Sequence, residues 1–229
     1  MQDRYDLHPQ YSRPERVADA AVHGLGLLFG LAACVILAIA VLPSHDALLW
    51  LALGLYGFGL LAMLGCSALY NLCGPGRCKA VLRRLDHASI FVMIAGTYTP
   101  FMLIAIGGTW GLGLLALVWF VALCGVALKL FWPWRFERLS VAAYLLLGWS
   151  ILVVFDPLLG AMSAAGLALL VAGGLLYSLG VVFHLWQRLP YHNVIWHAFV
   201  LAAAACHFSA VLSDVAIASV RLSRTVAGA

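Results

Sequence analysis

Four short stretches of this chain carry side chains able to hold a metal ion or move a proton. They are Asp19 with His23, Ser67 with Asn71, Asp86 with His87, and the group His192, Asn193 and His197 in YHNVIWHAFV (191–200). Asp19/His23, Ser67/Asn71 and Asn193/His197 are each four residues apart, which puts both members on one face of a helix. Imidazole and carboxylate ligate metals and carry protons. Hydroxyl and amide groups orient water or substrate through hydrogen bonds. Taken singly, each has an ordinary structural explanation. Asp86 suits the first turn of a helix, Ser67 and Asn71 suit helix packing or a helix end, and His197 suits an interface. Their meaning depends on where the chain holds them.

The scaffold is read from composition. Of 229 residues, 65% are hydrophobic and 10% charged, against about 45–50% and about 25% in soluble domains. The composition predicts an all-α integral membrane protein, a single seven-helix domain over 1–229. A bilayer core of about 30 Å needs about 20 helical residues. Seven runs qualify, at 22–42, 47–71, 86–106, 110–130, 139–157, 162–185 and 194–217, after a polar cytoplasmic segment over 1–21. The gaps carry breakers: Pro43-Ser44, Gly74-Pro75-Gly76, Gly107-Gly108, Pro133, Asp156-Pro157 and Pro190. Pro100, inside the third run, predicts a kink and not a break. The runs are continuous and not alternating, which excludes a β-barrel. No cleavable signal peptide precedes the first run.

Basic residues set the expected orientation. With seven spans, 11 of the 13 Lys and Arg residues fall on the side of the amino terminus, Lys129 and Arg135 among them; the others are Arg221 and Arg224. This excess predicts an inside amino terminus and an outside carboxyl terminus; the expected location is the inner (plasma) membrane. The net charge of +4 is therefore anchoring charge, and no nucleic-acid-binding motif accompanies it. Trp50, Trp110, Trp132, Trp134 and Trp186 lie near span ends as an aromatic belt. Gly54, Gly57, Gly173, Gly174 and Gly180 are expected to allow close helix approach.

That topology brings the polar groups to one depth. Asp19 and His23 open span 1, Asp86 and His87 open span 3, and His192, Asn193 and His197 open span 7, all from the inside; Ser67 and Asn71 close span 2 there. Ionisable groups at bilayer depth are costly and usually face a bundle interior or water-filled cavity. The expectation is a shared polar pocket near the cytoplasmic leaflet.

The stretches VADAAVHGLG (17–26), SALYN (67–71), RLDHASIFVMIAGTYTPF (84–101), LSVAAYLLLGW (139–149) and RLPYHNVIWHAFVLAAAACHF (188–208) resemble the progestin and adipoQ receptor family in its bacterial hemolysin III branch. The resemblance covers about Glu15 to about Val215. It implies seven helices, an inside amino terminus and a zinc ion near the cytoplasmic leaflet. The ligands it implies are histidines from a Ser-x3-His closing helix 2 and a His-x3-His opening helix 7, with an aspartate of helix 3 close by. Carried over, it assigns metal positions 71, 193 and 197 and catalytic roles to Ser67 and Asp86. Here Ser67, Asp86 and His197 match, whereas Asn71 and Asn193 stand where histidines are expected. A neutral amide is a poor zinc ligand. His192 is one place early, about 100° round the helix. His192, His23, His87 and Cys73 are the remaining side chains able to lean in.

Three functions follow as expectations. A lipid-linked membrane-homeostasis regulator or sensor keeps the fold and needs no complete zinc box. A zinc-dependent, ceramidase-like lipid amide hydrolase would use Asp86 as proton acceptor and Ser67 to orient water or substrate; the two amides count against it. A cytolysin ranks third, because the polar residues gather at one leaflet and do not line a path. Membrane lipids are the expected partners.

Overall fold

The computed structural model describes residues 11–132 and 136–227. Trp134 of the expected belt, Arg135 and the breaker Pro133 lie outside the described residues. Seven helices long and apolar enough to cross a membrane are present. We label them α1 (Arg13–Val41), α2 (Ala47–Leu72), α3 (Arg77–Ile106), α4 (Gly108–Phe131), α5 (Glu137–Ala161), α6 (Ala164–Leu185) and α7, which runs through His192–Ala210, Val211–Ile217 and Ala218–Ala227. α2 packs on α3, α3 on α4, α6 on α7, and α1 on both α2 and α7; α5 touches its neighbours most lightly.

α1, α2 and α6 begin where side chains cap them. α1 starts at Arg13, earlier than expected, because Ser12 and Glu15 form a capping box in which each side chain satisfies a backbone N–H of the other. Asp46 accepts from the N–H groups of Leu48 and Leu49 at the head of α2. Gly107 and Gly108, at φ 62° and 59°, make the tight reversal between α3 and α4. At the head of α6 the Asp214 carboxylate of α7 accepts from the Ser163 backbone N–H (3.3 Å) and hydroxyl (3.1 Å). The mixed polarity of α1 is resolved by facing. Asp19, His23, Gly26, Gly30, Ala33 and Leu37 are buried, while Leu28, Leu31, Val35 and Ile39 are exposed on the surface that lipid would cover.

Proline acts as local geometry allows. After Pro100, which cannot donate to the helix ladder, α3 continues as a π-helix over Phe101–Ile106, so it is distorted and not broken. Asp156-Pro157 does not end α5. The helix passes through a 3-10 stretch, Ser150–Val154, and resumes over Phe155–Ala161. Pro157 sits in the first turn of that last segment, where a missing N–H costs nothing. The 3-10 stretch is held by Tyr98 of α3, whose hydroxyl accepts from Ile151 N–H (2.7 Å) and lies 2.9 Å and 2.8 Å from the carbonyls of Leu147 and Gly148. A side chain thus satisfies the backbone inside the bundle.

Close approach of α6 and α7 rests on Gly166, Gly173 and Gly180, seven residues apart along α6. A Cβ at Gly173 would lie 2.4 Å from the His207 ring, and one at Gly180 would lie 3.0 Å from Trp196 and Phe199. Gly57 and Gly174 similarly face Cys34 and Trp149, but Gly54 faces open space and plays no such part. Trp50, Trp110, Trp132 and Trp186 are exposed, as a belt requires.

Gly173→Ala is therefore expected to destabilise the bundle by about 1–3 kcal/mol through overpacking, and Gly54→Ala to be neutral or slightly stabilising. Thermal unfolding in detergent separates them; equal losses would refute the α6–α7 packing.

Candidate metal and lipid site

The polar residues of α1, α2, α3 and α7 meet toward one end of the bundle, but Asp86 and His87 do not open α3 as expected: the helix begins at Arg77, which puts them more than two turns inside it and leaves its first turn without an acid. The network centres on Asp19, which is 8% exposed. Its Oδ1 accepts from His197 Nδ1 at 2.7 Å. Its Oδ2 lies 3.4 Å from His23 Nε2 and accepts from Asn193 Nδ2 at 3.5 Å. The His23 and His197 rings are 4.4 Å apart between centroids. Asn193 Nδ2 also donates to Asn71 Oδ1 (3.3 Å). Asn71 Nδ2 turns back to the Ser67 carbonyl (2.9 Å) and hydroxyl (3.4 Å). Ser67, Asn71, Asn193 and His197 thus join one network, with Asp19 and His23 at its centre, and Asp86 lines the same cavity as Ser67, His23 and His197.

The α1 contribution is a stripe at four-residue spacing: Tyr11, Glu15, Asp19, His23. Glu15 Oε1 accepts from the backbone N–H of Tyr191 at 2.8 Å, fixing the chain just before α7, where Tyr191 sits at φ 59°. The Tyr11 hydroxyl lies 3.4 Å from His192 Nε2. Burial, with Asp19 and Glu15 adding to it, pushes the Tyr11 phenol up to about 12, so it stays neutral there. α1 and α7 are therefore latched along their first turns, and the latch holds Asp19 against His197.

Asp19, His23 and His197 form a possible metal-binding triad, with ligand atoms within 4.8 Å of one another. Two imidazoles and a carboxylate are the donor set of known three-ligand zinc sites. An orphaned atom supports the fit. Although it lies 3.4 Å from Asp19 Oδ2, His23 Nε2 is buried without a hydrogen-bond partner among the described residues, and a cation among these three groups would satisfy it.

A cavity of about 200 Å³ opens from this network into the apolar interior. His23, Ser67, Asp86 and His197 line its polar end, and Met93, Tyr98, Trp149, Tyr177, Val200 and His207 line its body. His207 is ten residues beyond His197, so the cavity runs about 15 Å along α7, close to one leaflet of the hydrocarbon core.

A profile described as Haemolysin-III related matches residues 12–208. The chain belongs to that family. It is 39% identical over 198 residues to the hemolysin-3 homolog of Bacillus subtilis (strain 168), covering 86% of this chain and 93% of the relative. It is 38% identical over 198 residues to hemolysin-3 of Bacillus cereus, covering 86% and 90%. It is also 28% identical over 165 residues to the human monocyte to macrophage differentiation factor, covering 69% and 67%. It is a hemolysin III-type multi-pass membrane protein.

Within this hemolysin III-type bundle, the metal-capable set differs from the one the resemblance assigns. The amides at 71 and 193 bond to each other, and the imidazole that joins His197 comes from α1. Of the side chains able to lean in, His23 does so. His192 is taken by Tyr11, and His87 points to Glu137, with Nδ1 3.7 Å from Oε2. Asp19 and His23 were visible in the sequence as an i,i+4 pair on one helix face. The four-residue repeat back to Tyr11 was the further signal that this face turns inward.

If Glu15 serves both cap and latch, Glu15→Ala lowers the unfolding temperature more than Ser12→Ala, which removes only its part of the cap. Equal shifts in the two variants would exclude a stabilising Glu15–Tyr191 contact.

Proposed function

We propose that this chain is a lipid-binding membrane-homeostasis protein of the inner (plasma) membrane, amino terminus inside, with a zinc centre at Asp19, His23 and His197. The observation that carries the lipid reading is the cavity, polar at one end, apolar in its body and one leaflet long. That is the shape and polarity of a single amphiphile. The orphaned His23 Nε2 supports the metal, and the excess of basic residues on the amino-terminal side supports the orientation.

Zinc, when bound, supplies a Lewis acid that polarises a carbonyl and makes water more acidic. The chain's own residues do the rest. Asp19 fixes the His197 ring through Nδ1, which sets its tautomer and orientation. The Asn71–Asn193 pair ties α2 to α7 without competing for the ion. Ser67 and Asp86 present a hydroxyl and a carboxylate to the cavity beside the triad.

That last arrangement favours a second reading, hydrolysis of an amide-linked lipid. Asp86 would accept a proton and Ser67 would hold the polar linkage near it. The regulatory or sensing role needs only that occupancy of the cavity changes the packing of α1 against α7.

Two measurements test the proposal. Purified protein is expected to carry close to one zinc per chain by elemental analysis. His23→Ala and His197→Ala should each weaken zinc binding at least about tenfold, and Asn71→Ala less. Zinc binding indifferent to His23→Ala would overturn this centre. Native mass spectrometry should find co-purified lipid that Val200→Phe, which narrows the cavity, diminishes. Protein free of lipid from the outset would overturn the lipid reading.

A further inference from the structure

A second charged cluster, from α3, α4 and α5, also lines this cavity. Lys129 of α4, which composition alone reads as an interfacial anchor, is buried: its side chain is 1% exposed. Its Nζ has no hydrogen-bond partner among the described residues and lies 3.8 Å from Glu137 Oε2. Glu137 is already engaged, accepting from Arg83 Nη2 at 2.8 Å. His87 Nδ1 lies 3.7 Å from the same carboxylate. One carboxylate therefore faces two permanent cations and an imidazole. Arg84, on the same turn of α3 as Arg83, adds a third cation, directed at the Leu130 carbonyl (3.4 Å).

Lys129, His87 and Glu137 line the cavity, together with Ser140 and Tyr144. An ammonium group carries three donors, and burying one without hydrogen bonds is costly. Arg83 and Arg84 stand behind this lining and not on it, so the wall presents the buried, unsatisfied Lys129 ammonium, beside Glu137, at an opening onto an apolar slot. Basic pockets between membrane helices recognise acidic lipid headgroups by this chemistry.

We propose that this wall binds the phosphate of an anionic phospholipid, with Lys129 as the principal contact and the acyl chain running down the cavity. The inference rests on the cavity being a lipid site. It adds a headgroup class and a place for the charge, at side chains of α4 and α5 outside the metal triad. A headgroup held there brings the polar linkage of the lipid to the end of the cavity where Ser67 and Asp86 sit.

The test uses full-length protein in detergent and native mass spectrometry with three probes: dioleoyl phosphatidylglycerol, dioleoyl phosphatidylcholine and inorganic phosphate. The wild type is expected to retain phosphatidylglycerol over phosphatidylcholine by about fivefold. Lys129→Met should abolish that preference, and Lys129→Arg, which keeps the charge and guards against a folding defect, should preserve it. Equal retention of the two lipids, or a preference unchanged in Lys129→Met, would overturn the headgroup site while leaving a lipid cavity intact. Retention of neither lipid, with phosphate alone binding in a Lys129-dependent way, would overturn the lipid source and the lipid reading of the cavity together.

Discussion

A carboxylate in an apolar bundle must be met by donors, and Asp19 dictates much of what surrounds it. Leaving it unpaired at membrane depth would cost several kcal/mol. The chain meets that demand with His197 on one oxygen, and with Asn193 and the approach of His23 on the other. Asp19 and His23 come from α1 and Asn193 and His197 from α7, so these four groups cannot come together unless α1 lies against α7. The closure of first helix on last, the position of the His23 ring and the polar mouth of the cavity all follow from satisfying one acid.

The remainder of the bundle supplies close contact and little polarity. Lipid tails give no hydrophobic drive for helices to associate, so fit and small residues do this work. The glycine row on α6 lets α7 approach until His207 and Asp214 touch its backbone side. Where helices depart from regularity, at Phe101–Ile106, Ser150–Val154 and Val211–Ile217, a neighbour or the wider turn absorbs the mismatch, and Tyr98 is the clearest case. These irregularities shape the half of the bundle away from the polar network, while the ionic groups shape the other.

The seven spans were legible because a membrane helix needs a long apolar run and this chain punctuates its runs with Gly and Pro. Helix ends were less so. The capping box carries α1 back to Arg13 through a stretch too polar to count as a span, and Pro157 falls in a first turn that tolerates it. The gathering of Ser67, Asn71, Asp86, Asn193 and His197 followed from spacing plus topology. The metal-capable set did not, because the resemblance directs attention to positions 71 and 193, where this chain has amides. Which imidazole replaces them depends on how α1 rotates about its axis, and only the repeat from Tyr11 to His23 hints at that. Lys129 was hidden for a related reason. A lysine two residues from a helix end ordinarily snorkels to the interface, and only the packing of α3 and α5 encloses it.

The central claim, that Asp19 binds α1 to α7 through His197, is tested most directly by a double-mutant cycle in metal-free protein. Unfolding free energies of the wild type, Asp19→Ala, His197→Ala and the double variant yield the coupling between the two side chains. The account predicts a coupling of about 1–2 kcal/mol. Additivity within about 0.3 kcal/mol would contradict it.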